Sequence, residues 1–69
     1  MPIYTLYIED DRYRVPTLLT EELVDDVRAL AYMTQLFDKS RHYLAIEMWD
    51  GDRQVIRAAR PQGSEGDRV

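Results

Sequence analysis

Between Thr20 and Lys39 the apolar pattern is helical. Leu23, Val27, Leu30, Thr34 and Phe37 recur at four- and three-residue steps, the spacing that aligns side chains on one face of an α-helix. A helix over 20–39 would span roughly 30 Å, the width of a small domain. Thr20 is placed to cap its N-terminus, and Glu21 and Glu22 lie where the helix dipole favours negative charge. Leu19 and Val24 have the spacing of a hydrophobic staple around that cap. Lys39 and Arg41 supply positive charge at the other end, and no glycine marks the stop. The stripe, flanked by Val24, Ala31 and Met33, is expected to pack on a sheet. Tyr32 and Leu36 then point the other way with Ala29 and Met33 beside them, an exposed apolar patch suited to self-association.

A chain of 69 residues has room for one domain. So small a core commonly leans on disulfides, a metal or oligomerisation. There is no cysteine, which removes disulfides and thiolate metal sites and fits a reducing compartment. Good packing or a homodimer is left as the support. The net charge is −4, from 13 acidic and 9 basic residues of interspersed sign. That is not the concentrated basic face of a nucleic-acid binder. No basic-then-apolar leader is seen, and the longest apolar run, Ala29–Met33, is far too short for a bilayer. The expectation is a soluble, cytoplasmic protein with no membrane and no nucleic-acid partner.

Pro2–Ile8 reads as a strand, with Tyr4, Leu6 and Ile8 on the core face and Ile3, Thr5 and Tyr7 on the other. Glu9–Arg12 is a charged turn. Tyr13–Val15 reads as a short return strand, ended by Pro16. Beyond the helix and a connector containing His42, Tyr43–Trp49 alternates as a strand with Leu44, Ile46 and Met48 towards the core. Asp50-Gly51-Asp52 is a turn signal and Arg53–Ala59 the returning strand of a hairpin. Together these predict an α+β fold, a two-layer ββαββ arrangement with one long helix on a mostly antiparallel sheet. The domain is expected to occupy residues 1–60. Residues 61–69, rich in Gly, Ser and charge, have the composition of a flexible tail.

Candidates for chemistry are few. Glu9, Asp10, Asp11, Asp50 and Asp52 could hold a hard cation or a small ligand if the two acidic turns met. If the return strand exists, however, the first strand runs opposite to the Tyr43 strand and the turns fall at opposite ends. Neither turn follows the calcium-loop pattern. His42 is the only histidine, with no second His or Cys to complete a metal site. Ser40 and Ser64 lack the context of an activated nucleophile, and a single glycine before the tail builds no phosphate-cradling loop. No cofactor and no catalytic residue is expected. What remains is aromatic: Tyr7, Tyr13, Tyr32, Tyr43 and Trp49 point away from the predicted core, and such residues are enriched in interfaces. The candidate interaction surface is Tyr7, Ala29, Tyr32, Met33, Leu36, Tyr43 and Trp49.

The opening Met1-Pro2-Ile3-Tyr4 with its aromatic-rich strand, and the closing Ile46–Val55 segment around Asp50-Gly51-Asp52, resemble a family of small α-proteobacterial domains of unknown function. Those chains begin Met-Pro-x-Tyr and run strand, acidic segment, long helix and terminal hairpin. This chain departs from them in having Arg14-Val15-Pro16-Thr17 before the helix and a Val/Leu-rich rather than Ala-rich helix. The resemblance implies the same strand–helix–hairpin order over residues 1–60, a bacterial setting, and no particular activity. The reading that follows is a small non-enzymatic interaction or regulatory module that forms a homodimer or binds another protein. A metal- or ligand-binding regulatory domain built on the acidic turns is the alternative.

Overall fold

The computed structural model describes residues 1–60. Strands β1 (Ile3–Asp10), β2 (Thr17–Glu22), β3 (Tyr43–Asp50) and β4 (Arg53–Ala59) form one sheet, in the order β2-β1-β3-β4. Every neighbouring pair is antiparallel. The helix α1 (Asp26–Lys39) lies between β2 and β3 in sequence and covers one face of the sheet. This is the two-layer ββαββ arrangement expected. The flexible tail predicted over 61–69 lies outside the described residues.

The core is made by alternation. Tyr4, Leu6 and Ile8 of β1 and Ile46 and Met48 of β3 turn inward and are shut off from solvent. Leu6 faces Met48 and Ile8 faces Ile46 across the ladder. Truncating such a side chain to alanine costs ~2–5 kcal/mol, comparable with the whole stability a core of this size supplies. Between β3 and β4 the turn needs a positive φ at its first residue, and Gly51 provides it at φ 64°.

Three local expectations are corrected. The return strand is not Tyr13–Val15 but Thr17–Glu22, paired so that Leu6 meets Leu19 and Thr5 meets Thr20. Thr17, Leu19 and Glu21 are half-buried while Leu18, Thr20 and Glu22 are exposed, a period of two that hides inside a segment also rich in helix-start residues. Pro16 precedes this strand, where a missing N–H costs nothing, instead of ending an earlier one.

The helix therefore begins later. Asp25 is the cap, accepting a hydrogen bond from the Arg28 N–H at 2.9 Å, and aspartate serves there as well as threonine. At 14 residues the helix is about 21 Å long.

Its orientation also differs. Ala29, Met33 and Leu36 form the buried face, whereas Val27 is 73% and Leu30 40% exposed. The helix carries two apolar stripes, one centred on Ala29-Met33-Leu36 and one on Val27-Leu30-Thr34-Phe37, roughly 100° apart. The stripe containing alanine lets the helix approach the sheet closely. Ala29 is wholly inaccessible there. Leu23 and Val24, which favoured the other phase, lie outside the helix.

Candidate interaction surface

Of the seven residues singled out from the sequence, Ala29, Met33 and Leu36 are core residues, of which Met33 also reaches the edge of a groove beside β4. Tyr32 is half-buried against the core, and its hydroxyl donates to Glu21 Oε2 at 2.9 Å. Burial, and then that bond, raise the Tyr32 pKa above the ordinary tyrosine value. Tyr43 also packs on the core. Its turning inward has a clear cause. The ladder shifts between Glu9–Ala45 and Asp10–Tyr43, leaving Leu44 as an extra residue. The bulge exchanges the two side chains, so Leu44 lines a hollow on the outer face while Tyr43 joins the core side. Trp49 is half-buried on β3. Its indole N–H has no hydrogen-bond partner among the described residues. Only Tyr7 stands as an exposed aromatic of the outer sheet face, opposite the exposed Leu18.

The outer-face hollow has a volume of about 310 Å³. The segment joining β1 to β2 overhangs it through Tyr13, Val15 and Pro16, and Glu9, Glu47 and Arg57 rise from its floor. Its charges are largely satisfied. Glu9 lies 3.9 Å from Arg57, and Glu47 accepts from Gln54 at 2.9 Å.

The second feature was not foreseen as surface. Leu30, Met33, Thr34 and Phe37 of α1, with Ile56 and Ala58 of β4, bound a groove of about 360 Å³. Arg60 closes one end. Its guanidinium donates to the carbonyls of Tyr43 at 3.0 Å, Ser40 at 2.8 Å and Phe37, and it stacks 5.1 Å from the Phe37 ring. Arg60 thus satisfies orphan carbonyls at a helix end that has no terminating glycine. The sequence signal for the groove was present in the Val27-Leu30-Thr34-Phe37 periodicity, but assigned to the core.

The acidic turns are pinned. Asp10 is 3% exposed; its carboxylate accepts from the Arg12 N–H at 2.9 Å, Nε at 3.0 Å and Nη2 at 2.7 Å. These bonds, led by that of the Arg12 side chain, hold the Asp10 pKa down at about 2 against the opposing effect of burial. Asp11 meets His42 Nδ1 at 2.8 Å. At the other end Arg53 donates to Asp26 at 3.1 and 3.2 Å and to Asp50 at 3.0 Å. The Tyr4 hydroxyl donates to Asp26 at 2.7 Å. Tyr4 faces Asp50, and Asp10 faces Tyr43, so the two turns lie at opposite ends of the sheet. Among the described residues no three His, Asp or Glu side chains converge as a metal site, and no helix is long and apolar enough to cross a membrane.

Compared with known proteins, the chain matches no family model, no curated protein and no solved structure.

Proposed function

We propose that this chain is a small, non-enzymatic protein-interaction module that self-associates. One observation carries the reading: the most regular apolar stripe of the sequence lies on the open flank of the helix. Val27 and Leu30 are exposed, and the stripe continues through Phe37 into the groove beside β4. A row of large apolar side chains held open in this way is what an association surface requires. A core this small also gains from a second copy. Kinship with the small α-proteobacterial domains stays a proposal resting on Met1-Pro2-Ile3-Tyr4 and the Ile46–Val55 segment. The cysteine-free composition supports a cytoplasmic setting.

Less supports the alternative built on both acidic turns. The turns are separated by the length of β1, and Asp10 and Asp50 each bind an arginine.

Light scattering across micromolar to millimolar concentrations tests the proposal. The expected result is twice the chain mass, with dissociation on dilution. The mass of a single chain persisting at 1 mM would end the self-association reading.

A further inference from the structure

The two edges of the sheet are not equivalent. At the β2 edge the neighbouring helix flank is polar. Arg28 and Gln35 are exposed there, and Tyr32 is tied to Glu21. The β4 edge is equally open, since among the described residues no strand pairs with the outer side of either edge strand. The helix flank is what differs: above β4 it carries Leu30 and Phe37, with the exposed Val27 a turn earlier.

From this contrast, and resting on the self-association proposed above, we infer that the partner is a second copy of this chain seated on the β4 edge. The two β4 strands run antiparallel about a two-fold axis, making one eight-stranded sheet with both helices on the same face. The self-pairing follows from the match of surfaces. A two-fold at β4 sets apolar flank against apolar flank, whereas pairing β4 with a neighbour's β2 would set Leu30 and Phe37 against the polar Arg28 and Gln35 side. A two-fold interface is self-complementary and closes at two copies.

Charge does not oppose it. Arg53 is already neutralised by Asp26 and Asp50, and Arg57 lies 3.9 Å from Glu9. The area is sufficient. Seven residues of strand give an edge about 24 Å long, and two layers are roughly 20 Å deep. That makes about 1,000 Å² buried over both copies, at the threshold for a specific interface.

Amide hydrogen exchange at 10 µM and at 1 mM reads the location without altering the chain. The expected result is a rise in protection with concentration confined to Arg53–Ala59 and the Leu30–Phe37 flank, with Thr17–Glu22 unchanged. Leu30→Arg is expected to weaken dimerisation at least tenfold. Leu18→Arg, at a more exposed site of the outer face, should leave it within twofold. Circular dichroism would confirm that both variants remain folded. A dimer whose protection rises at β2, or which Leu18→Arg dissociates and Leu30→Arg does not, overturns this interface while leaving self-association standing. A monomer at every concentration removes both.

Discussion

The two acidic turns look alike in sequence and behave differently in the fold. At the end of β1, Asp10 is buried and clamped by Arg12, two residues on, in a two-pronged grip that also takes the Arg12 backbone N–H. At the β3–β4 turn, Asp50 and Asp26 share Arg53 in the open, where the side chains of Arg53 and Asp26 are about half exposed. The first arrangement is local and dry on its carboxylate side, with the Arg12 side chain about half exposed. The second is long-range and wet, tying the first turn of the helix to the hairpin and, through the Tyr4 hydroxyl, to the core. A cluster of acids is therefore not in itself a cation site. An arginine two or three residues after the aspartate, visible here at Arg12 and Arg53, converts the turn into a latch whose strength depends on burial.

The largest effect should come from the dry latch. Asp10→Ala takes away the buried carboxylate that accepts from the Arg12 N–H and from its guanidinium, the latter about half exposed. A donor left without its acceptor costs more than the bond contributed wherever water cannot replace it. A fall in melting temperature of roughly 10 °C is expected for a domain of this size. Asp10→Asn, which keeps one acceptor oxygen, should fall by less. Thermal melts followed by circular dichroism check the order. If the two variants melt like the parent, Asp10 is no latch.

The same residue governs acid stability. Asp10 has its folded pKa lowered from 3.8 to about 2. Between those values the unfolded chain binds the more protons, so stability is present above pH 4 and is lost as pH falls towards 2. Asp26 is lowered as well, by its bond from Arg53 first and from Tyr4 second. Urea midpoints measured from pH 5 to pH 2 should decline in the parent. The decline should be shallower in Asp10→Asn, with Asp26 contributing to what remains. An unchanged slope in that variant would separate Asp10 from acid unfolding.

These latches also show where sequence reading succeeds. Strands β1, β3 and β4 were legible because alternation and a glycine turn are local signals, whereas the separation of the acidic turns hangs on a return strand expected at Tyr13–Val15 and standing at Thr17–Glu22. The β2 strand was not legible. Thr17-Leu18-Leu19-Thr20-Glu21-Glu22 satisfies both a strand period and a helix start, and only its pairing with β1 decides between them. The face of α1 was ambiguous for a similar reason. Two stripes compete, and the winner holds a small residue, Ala29, at the closest approach to the sheet. Tyr43 and Leu44 changed places through a bulge that nothing within β3 announces. The candidate surface inherited these errors. Its helix residues were named from the wrong stripe, while Tyr7, on the strand with the clearest alternation, kept its exposure.

A smaller effect is expected where the wet latch enters the core. Tyr4→Phe keeps the buried ring and removes only the hydroxyl that donates to Asp26. Loss of one such bond should lower the melting temperature by about 5 °C. Burial first, then the Asp26 bond and the nearby carboxylates, push the Tyr4 pKa up to about 12. A raised folded value means this contribution is whole below pH 10 and is lost as pH climbs towards 12. Tyr4→Phe should therefore flatten part of the alkaline loss of stability. An alkaline profile identical to the parent's would mean that Tyr4 ionises as freely in the folded chain as in the unfolded one.

The smallest effect belongs to Arg53→Ala. Both of its ion pairs are made by side chains between a third and a half exposed, and exposed ion pairs contribute little. Its value is as a probe of screening. In 1 M salt the Debye length falls to about 3 Å, so charges that face water are uncoupled while a pair buried from ions is not. The gap in melting temperature between the parent and Arg53→Ala, a few degrees at low salt, should close almost entirely in 1 M sodium chloride. The gap between the parent and Asp10→Ala should persist in larger part, because the Asp10 carboxylate is buried even though the Arg12 guanidinium is about half exposed. Should both gaps close together, burial would not be what separates the two turns, and Asp10 would have to be regarded as a surface acid like Asp50.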